Sequence, residues 1–282
     1  QMGVPKETSY PYGRDYQLKQ AEKFRNRKSN HWKTRIELAK KLVEQYSQPR
    51  LAGKSPPEIV VVDVGCSIGT FAIEFSKLGY QTFGIDFDHT ALEIAQQLSQ
   101  EEKVSPTFIC GDISDLNNDF PKIDVAICFD IFEHLHDDEL GAFLTAIRKR
   151  LSKDGCIIFH TFPTQYDHIF FSKTFIRVPL IPFKYLTPSK FNLITKMYSS
   201  LFDIALLLVK GVTHQEYIKK SGHCNLTTAE RLSDILLRTK YEVLLLESSQ
   251  LYEYYPAPQK WFRHQPITFR NLYGVAKATI QP

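Results

Sequence analysis

Between residues 58 and 161 the chain alternates short β-branched runs with stretches of helical spacing, and this alternation limits its fold more than any other feature. Strands are expected at Glu58–Asp63, Gln81–Asp86, Thr107–Cys110, Ile123–Phe129 and Cys156–Thr161. Helices are expected at Thr70–Leu78, closed by Gly79, at Thr90–Gln100 with Thr90 as N-cap, and at Asp137–Leu151. Apolar strands separated by helical patterns of about ten to fifteen residues build β-α-β units, and hence a parallel sheet covered on both faces. After Thr161 the rhythm breaks into an aromatic, proline-punctuated, basic stretch. A helix at Thr228–Arg238 and strands at Tyr241–Glu247 and Phe269–Ala278 then follow. The break reads as an insertion over the carboxyl ends of the strands, where open α/β sheets bind ligands.

The expected organisation is a helical cap over residues 1–50, with helical spacing at 14–46, and a core of β-α-β units over 51–162. An aromatic and basic lid follows over 163–226, and the core is completed by 227–282. Apolar residues make up 43% and charged residues 23%, which excludes wholesale disorder, collagen and coiled coil. The five cysteines are scattered, without a Cys-x-x-Cys pair, so they read as thiols of a reducing compartment such as the cytoplasm. The apolar run Leu201–Val209 is too short to span a bilayer, which takes about 20 residues. Charge is segregated: residues 1–50 carry +7, 51–168 carry −11, 169–212 carry +5 and 213–282 carry +3. The basic pieces are either solvated helices or surfaces for an anionic ligand, membrane or nucleic acid.

The first strand runs into Asp63-Val64-Gly65-Cys66-Ser67-Ile68-Gly69. Glycines at 65 and 69 permit a tight turn and a close backbone approach. Asp86 ends the second strand, where a carboxylate can accept from ribose hydroxyls. A dinucleotide site would use a third glycine at position 67 and would not place Asp63 beside phosphates, whereas a carboxylate suits a cationic ligand. The third strand ends in Cys110-Gly111-Asp112-Ile113, with an acid able to accept from an adenine amino group.

These motifs, with Asp124-Val125-Ala126-Ile127-Cys128-Phe129-Asp130-Ile131-Phe132-Glu133-His134-Leu135, resemble in order those of the class I S-adenosylmethionine-dependent methyltransferases, serine replacing the usual middle glycine. The resemblance covers residues 58–161. It implies a Rossmann-like seven-stranded sheet, mostly parallel with an antiparallel last strand, with helices on both faces and a helical lid insertion. It implies S-adenosylmethionine as cofactor and S-adenosylhomocysteine as product. Asp63 would lie near the methionine amino group, and Gly65, Ser67 and Gly69 would supply the loop. Asp86 and Phe87 would hold the ribose side, Asp112 and Ile113 the adenine, and Phe129 the methionine side.

Methyl transfer from a sulfonium needs alignment and a dry cavity, with a base only where the acceptor must lose a proton. Candidate bases are His134, His160 and His223, ahead of His168 and His214. Arg35 would suit the cofactor carboxylate, beside Tyr10, Tyr12, Tyr16, His31 and Trp32. Asp130, Glu133, His134 and His223 resemble the divalent-ion site of some ribose 2′-O- and catechol O-methyltransferases; a metal-free site is favoured. The insertion's aromatic residues, among them Phe162, Tyr166, Phe170, Phe171, Phe175, Phe183, Tyr185, Phe191, Tyr198 and Phe202, with lysines interspersed, fit a bulky, apolar, anionic small-molecule acceptor. Oxygen is the favoured target atom. The alternatives are an RNA ribose 2′-O-methyltransferase, a non-catalytic cofactor-binding partner subunit, and nicotinamide redox.

Overall fold

Seven strands form one sheet in the order β3-β2-β1-β4-β5-β7-β6. The computed structural model describes residues 13–26, 30–162, 178–213, 216, 223–224, 227–249 and 271–279. The strands are β1 (Val60–Val64), β2 (Gln81–Asp86), β3 (Thr107–Cys110), β4 (Ile123–Phe129), β5 (Leu151–Thr161), β6 (Tyr241–Ser249) and β7 (Asn271–Ala278). Strands β1 to β5 pair in parallel, while β7 runs antiparallel to both β5 and β6. This is the expected mostly parallel sheet with its last strand reversed. Residues Phe269 and Arg270 of the expected last strand lie outside the described residues.

Burial on both faces follows from the alternation along β1. Val60, Val62 and Val64 pack with Leu140, Leu144 and Ile147 of one helix, α5 (Asp137–Arg150). Val61 packs on the opposite face with Leu42, Phe71 and Phe75. Those residues belong to α2 (Asn30–Leu42) and α3 (Thr70–Ser76). A strand apolar on both sides belongs at the centre of a covered parallel sheet. The order reverses between β2 and β4 on either side of β1, so the crevice at the carboxyl ends of β1 and β4 is the topological switch point.

Two local expectations are corrected. The N-cap of α4 (His89–Glu101) is Asp88, whose Oδ1 accepts from the amides of Thr90 and Ala91 at 2.9 and 3.2 Å, so Thr90 lies inside the helix. The helical stretch at 14–46 is two helices, α1 (Arg14–Arg25) and α2, followed by a π-turn at Val43–Ser47. Helix α1 closes at Asn26, a residue type whose side chain competes for backbone hydrogen bonds.

The amino-terminal helices are tied to the acidic body by charge. Arg25 meets Glu101 at 2.7 Å, Lys40 meets Glu74 at 3.0 Å, and Arg35 meets Asp130 at 2.6 Å. Part of the +7 segment is therefore matched within the molecule. Helix α6 (Pro188–Lys210) rises from the insertion, and α7 (Ala229–Arg238) returns the chain to the sheet with Thr228 as its N-cap. The run Leu201–Val209 is thus the second half of a 23-residue helix rather than an isolated apolar piece.

Candidate active site at the carboxyl edge of the sheet

Three carboxylates end three neighbouring strands. Asp63 lies in β1, Asp86 ends β2, and Asp112 follows β3. Parallel register puts Val64 beside Ile85 and Asp86 beside Cys110, so these tips share one edge. The loop between β1 and α3 is turned by Gly65, Ser67 and Gly69, all with positive φ (71, 47 and 75°). A β-carbon on Gly65 would sit 2.7 Å from Ile131 Cδ1, and one on Gly69 would sit 2.6 Å from Phe108 Cε1. Both glycines are therefore demanded by packing within the protein as well as by the turn.

Each carboxylate holds backbone as well. Asp63 Oδ2 accepts from the Ala72 amide at 3.2 Å, at the start of α3. Asp86 accepts from the Ser67 amide at 2.7 Å and the Asp88 amide at 2.9 Å. Asp112 accepts from Ser114 at 2.8 Å. A carboxylate offers about four acceptor sites, so these bonds fix orientation without exhausting its capacity. Burial pushes Asp63 up to about 7, with the Asp86 charge adding to it against the Ala72 amide, which pulls it down. Asp86 is raised as well, again by burial. Phe87 is half exposed beside these acids, whereas Ile113 is buried in the core below β3 and Phe129 packs edge-on against Phe71 at 4.8 Å.

A residue missed from sequence closes this half. Gln17, buried on α1, donates to Asp88 Oδ2 at 3.0 Å and accepts from the Ser67 hydroxyl at 2.9 Å. It bridges the first loop and the residues after the second strand, which places the amino-terminal helix over the β1–β2 side of the crevice. A lone glutamine among charged residues carries no sequence signal for that role.

The other half gathers around Asp130, one residue past β4. Its φ is +58°, in the left-handed region that aspartate tolerates better than most residues. Asp130 Oδ2 accepts from Arg35 Nε at 2.6 Å and Oδ1 pairs with His160 Nδ1 at 2.5 Å, while its amide donates to the His160 carbonyl at 2.8 Å. Burial works against the Asp130 charge, yet the guanidinium and the imidazole outweigh it and hold the carboxyl well below its ordinary range. Arg35 is buried, with its guanidinium carbon 5.6 Å from the Phe162 ring centre. The His160 ring lies 5.5 Å from that of Phe129 on the neighbouring strand, and its Nε2 is buried without a hydrogen-bond partner.

Glu133 is buried; Oε2 accepts from the Thr161 hydroxyl at 2.7 Å, and Oε1 has no hydrogen-bond partner. Burial and the nearby Asp130 charge push it well above the carboxylate range. The rings of His134 and His223 stack 5.1 Å apart, and one donor atom from each of Glu133, His134 and His223 lies within 4.8 Å of the others. Cys224 fastens this corner: its amide donates to the Glu133 carbonyl at 2.8 Å and its thiol to that of His134 at 3.2 Å.

The four acids and histidines singled out as a possible ion site thus divide. Glu133, His134 and His223 converge, and Asp130 turns to Arg35 and His160. Arg35, expected at the cofactor carboxylate, directs Nε to Asp130. Tyr10, Tyr12, Tyr166, His168, Phe170, Phe171, Phe175, His214 and the side chain of His31 lie outside the described residues.

Comparison with known proteins bears on the fold and on the stretch from β1 to β5. The family described as methyltransferase domain matches residues 61–155. The magnesium-protoporphyrin O-methyltransferase of Synechocystis is 30% identical over 92 residues, 32% of this chain and 39% of that protein. The ubiquinone biosynthesis O-methyltransferase of Coxiella burnetii is 28% identical over 99 residues, 35% and 39% of the two chains. The matched stretch is less than half the length of either relative. Among solved structures, magnesium protoporphyrin IX methyltransferase from Synechocystis, with bound S-adenosylhomocysteine, superposes with a TM-score of 0.52 at 17% identity, covering 89% of this chain and 84% of that one. The PH0226 protein of Pyrococcus horikoshii superposes with 0.53 at 16%, covering 88% and 91%. At such identities the structural likeness is one of fold. Over residues 61–155 the chain therefore matches the methyltransferase-domain family in sequence, within a strand order and a glycine-bearing loop that agree with that match.

Proposed function

We propose that the chain binds S-adenosylmethionine across the tips of β1, β2 and β3 and directs its methyl group to oxygen of an apolar small molecule. The observation that carries this reading is the set of three carboxylates, Asp63, Asp86 and Asp112, on one edge at the switch point. Such a set fits a cationic ligand rich in hydroxyl and amino donors, and repels a pyrophosphate. Bound there, the cofactor supplies a methyl group already activated on a sulfonium. The protein's part is then alignment, exclusion of water and, for a hydroxyl acceptor, removal of a proton.

Asp63 faces the ammonium end in this reading, Asp86 with Phe87 the ribose, and Asp112 the adenine. His160 is the proton acceptor. The Asp130 carboxylate only accepts hydrogen bonds, so it fixes the proton of His160 on Nδ1 and leaves the lone pair on Nε2. Arg35 holds Asp130 in place. Small-molecule rather than RNA methylation is supported by the amino-terminal cations, since Arg25, Arg35 and Lys40 are matched by acids of the body. The oxygen preference rests on the two O-methyltransferase relatives.

The test is binding followed by transfer. Asp86→Ala is expected to weaken S-adenosylhomocysteine by on the order of 1–3 kcal/mol, since it removes hydrogen bonds to a charged acceptor. An unchanged dissociation constant would reject the ribose assignment. With isotope-labelled methyl donor and an organic-solvent extract of metabolites, labelled product should form, more slowly with His160→Ala at unchanged cofactor affinity. Label appearing in RNA instead, or equal rates for the variant, would overturn the reading.

A second reading has one observation behind it, the convergence of Glu133, His134 and His223. A divalent ion held there would draw an acceptor oxygen close and lower its pKa. A rise in melting temperature on adding Mn2+, removed by Glu133→Gln, supports this reading; no rise excludes it.

A further inference from the structure

Helix α6 presents two different faces. One carries Phe191, Thr195 and Ser199, which are buried. The other carries Leu193, Met197, Leu201, Ile204 and Leu208, spaced by three or four residues along the opposite side, and it lies in solvent. Leu193, Met197 and Leu201 are each about 60% exposed (61, 59 and 62%), and Leu208 is 80% exposed. In the turn of 3-10 helix just before it (Val178–Tyr185), Phe183 and Tyr185 are exposed too. A continuous apolar stripe of this kind on a folded domain marks an interaction surface.

The charges around the stripe select the partner. Lys190 and Lys210 stand at the two ends of the helix and Lys196 along its side, while Asp203 is its single acid. Residues 169–212 as a whole carry six basic residues and one acidic one. A second copy docking stripe to stripe would bring the same lysines together from both sides. An anionic lipid surface would take the leucines into its headgroup–acyl boundary and place the lysines among phosphates, which is the arrangement of an interfacial amphipathic helix.

We propose that α6 docks the protein onto the surface of an anionic bilayer, lying in the plane of the interface. Twenty-three residues would be long enough to cross a bilayer. Against that, Phe191, Thr195 and Ser199 along its first half are buried within the protein. Lys196 and Asp203 would also fall inside the hydrocarbon. The insertion that carries α6 leaves the sheet after Thr161, and Cys224 near its end sits beside Glu133 and His134. The surface stands apart from the methyl-transfer reading, and its test uses no cofactor.

The experiment is co-sedimentation of the full chain with phosphatidylcholine vesicles, with and without phosphatidylglycerol. Binding is expected to the anionic vesicles, weakening on the order of tenfold or more between low and high salt. The variant L201E/L208E replaces exposed residues only; it should keep the wild-type melting temperature and lose vesicle binding. Lys190→Glu with Lys196→Glu should lower binding on the order of tenfold or more. No binding of the wild-type chain to anionic vesicles at low salt overturns the proposal, as does equal binding by L201E/L208E. A dimer that L201E/L208E splits, without vesicle binding, would assign the stripe to self-association instead. Protein that resists alkaline extraction from the vesicles would show a spanning helix and equally overturn it.

Discussion

Replacing Asp130 by alanine is expected to lower folding stability by about 3 kcal/mol and to abolish methyl transfer. Removing one partner of a buried ion pair leaves the other charge desolvated, at a cost of roughly 3–5 kcal/mol. Arg35 is the partner left behind, buried in α2 with only 2% of its side chain exposed. The figure belongs at the low end of the range because 24% of the Asp130 side chain meets solvent. Alanine also tolerates the +58° backbone of this position less well than aspartate or asparagine does. Asp130→Asn separates the two contributions, since it keeps the backbone preference and loses the charge. Pairing Asp130→Asn with Arg35→Met should recover stability in urea melts, because both ends of the pair are then neutral. Turnover should not return, because His160 would still lack the carboxylate that fixes its tautomer. An Asp130→Ala protein as stable as the wild type would show that Arg35 does not depend on this contact.

The second large effect is a pH dependence centred on Asp63. In the unfolded chain this carboxyl loses its proton near pH 3.9, whereas in the folded protein burial holds the proton up to about 7. Between those values the folded state binds more protons than the unfolded one, so stability falls as pH rises from about 4 to 7. A gap of this size corresponds to as much as about 4 kcal/mol across the window. Asp86, raised by the same cause, acts in the same direction. A cationic ligand beside Asp63 favours its ionised form. S-adenosylhomocysteine should therefore bind more tightly at pH 8 than at pH 6 and release a proton as it does so. Asp63→Asn is expected to lessen the fall in stability between about pH 4 and 7, leaving the part that the raised Glu133 and Asp86 carboxyls contribute, and to remove most of the pH dependence of binding. Melting temperatures at several pH values, together with calorimetry in buffers of different ionisation heat, measure both effects. A stability profile unchanged by Asp63→Asn would place the raised carboxyl elsewhere.

What the sequence discloses about this protein is mostly local. The β-branched runs announce the central strands because a covered parallel strand is apolar on both faces, as Val60, Val61, Val62 and Val64 are. Thr187-Pro188 and Gly211 bracket α6 with the start and stop signals of a helix. The apolar run at 201–209 alone conceals its length. The Asp88 cap is visible in retrospect, as aspartate two residues before Thr90 satisfies the same orphan amides. Pairings across long separations left no such trace. Arg35 and Asp130 are 95 residues apart, and Gln17 and Asp88 are 71 apart. Only the folding of α1 and α2 onto the sheet edge brings them together. The sequence singles out Asp130 as a candidate ion ligand and Arg35 as a candidate carboxylate binder. That they engage each other follows from tertiary packing alone.

Titration calorimetry of the full chain with S-adenosylhomocysteine tests the central claim most directly. The predicted result is a single saturable site whose heat is lost or sharply reduced in Asp86→Ala and is untouched by competing NADH. No heat with the nucleoside, or displacement of the signal by NADH, would contradict it.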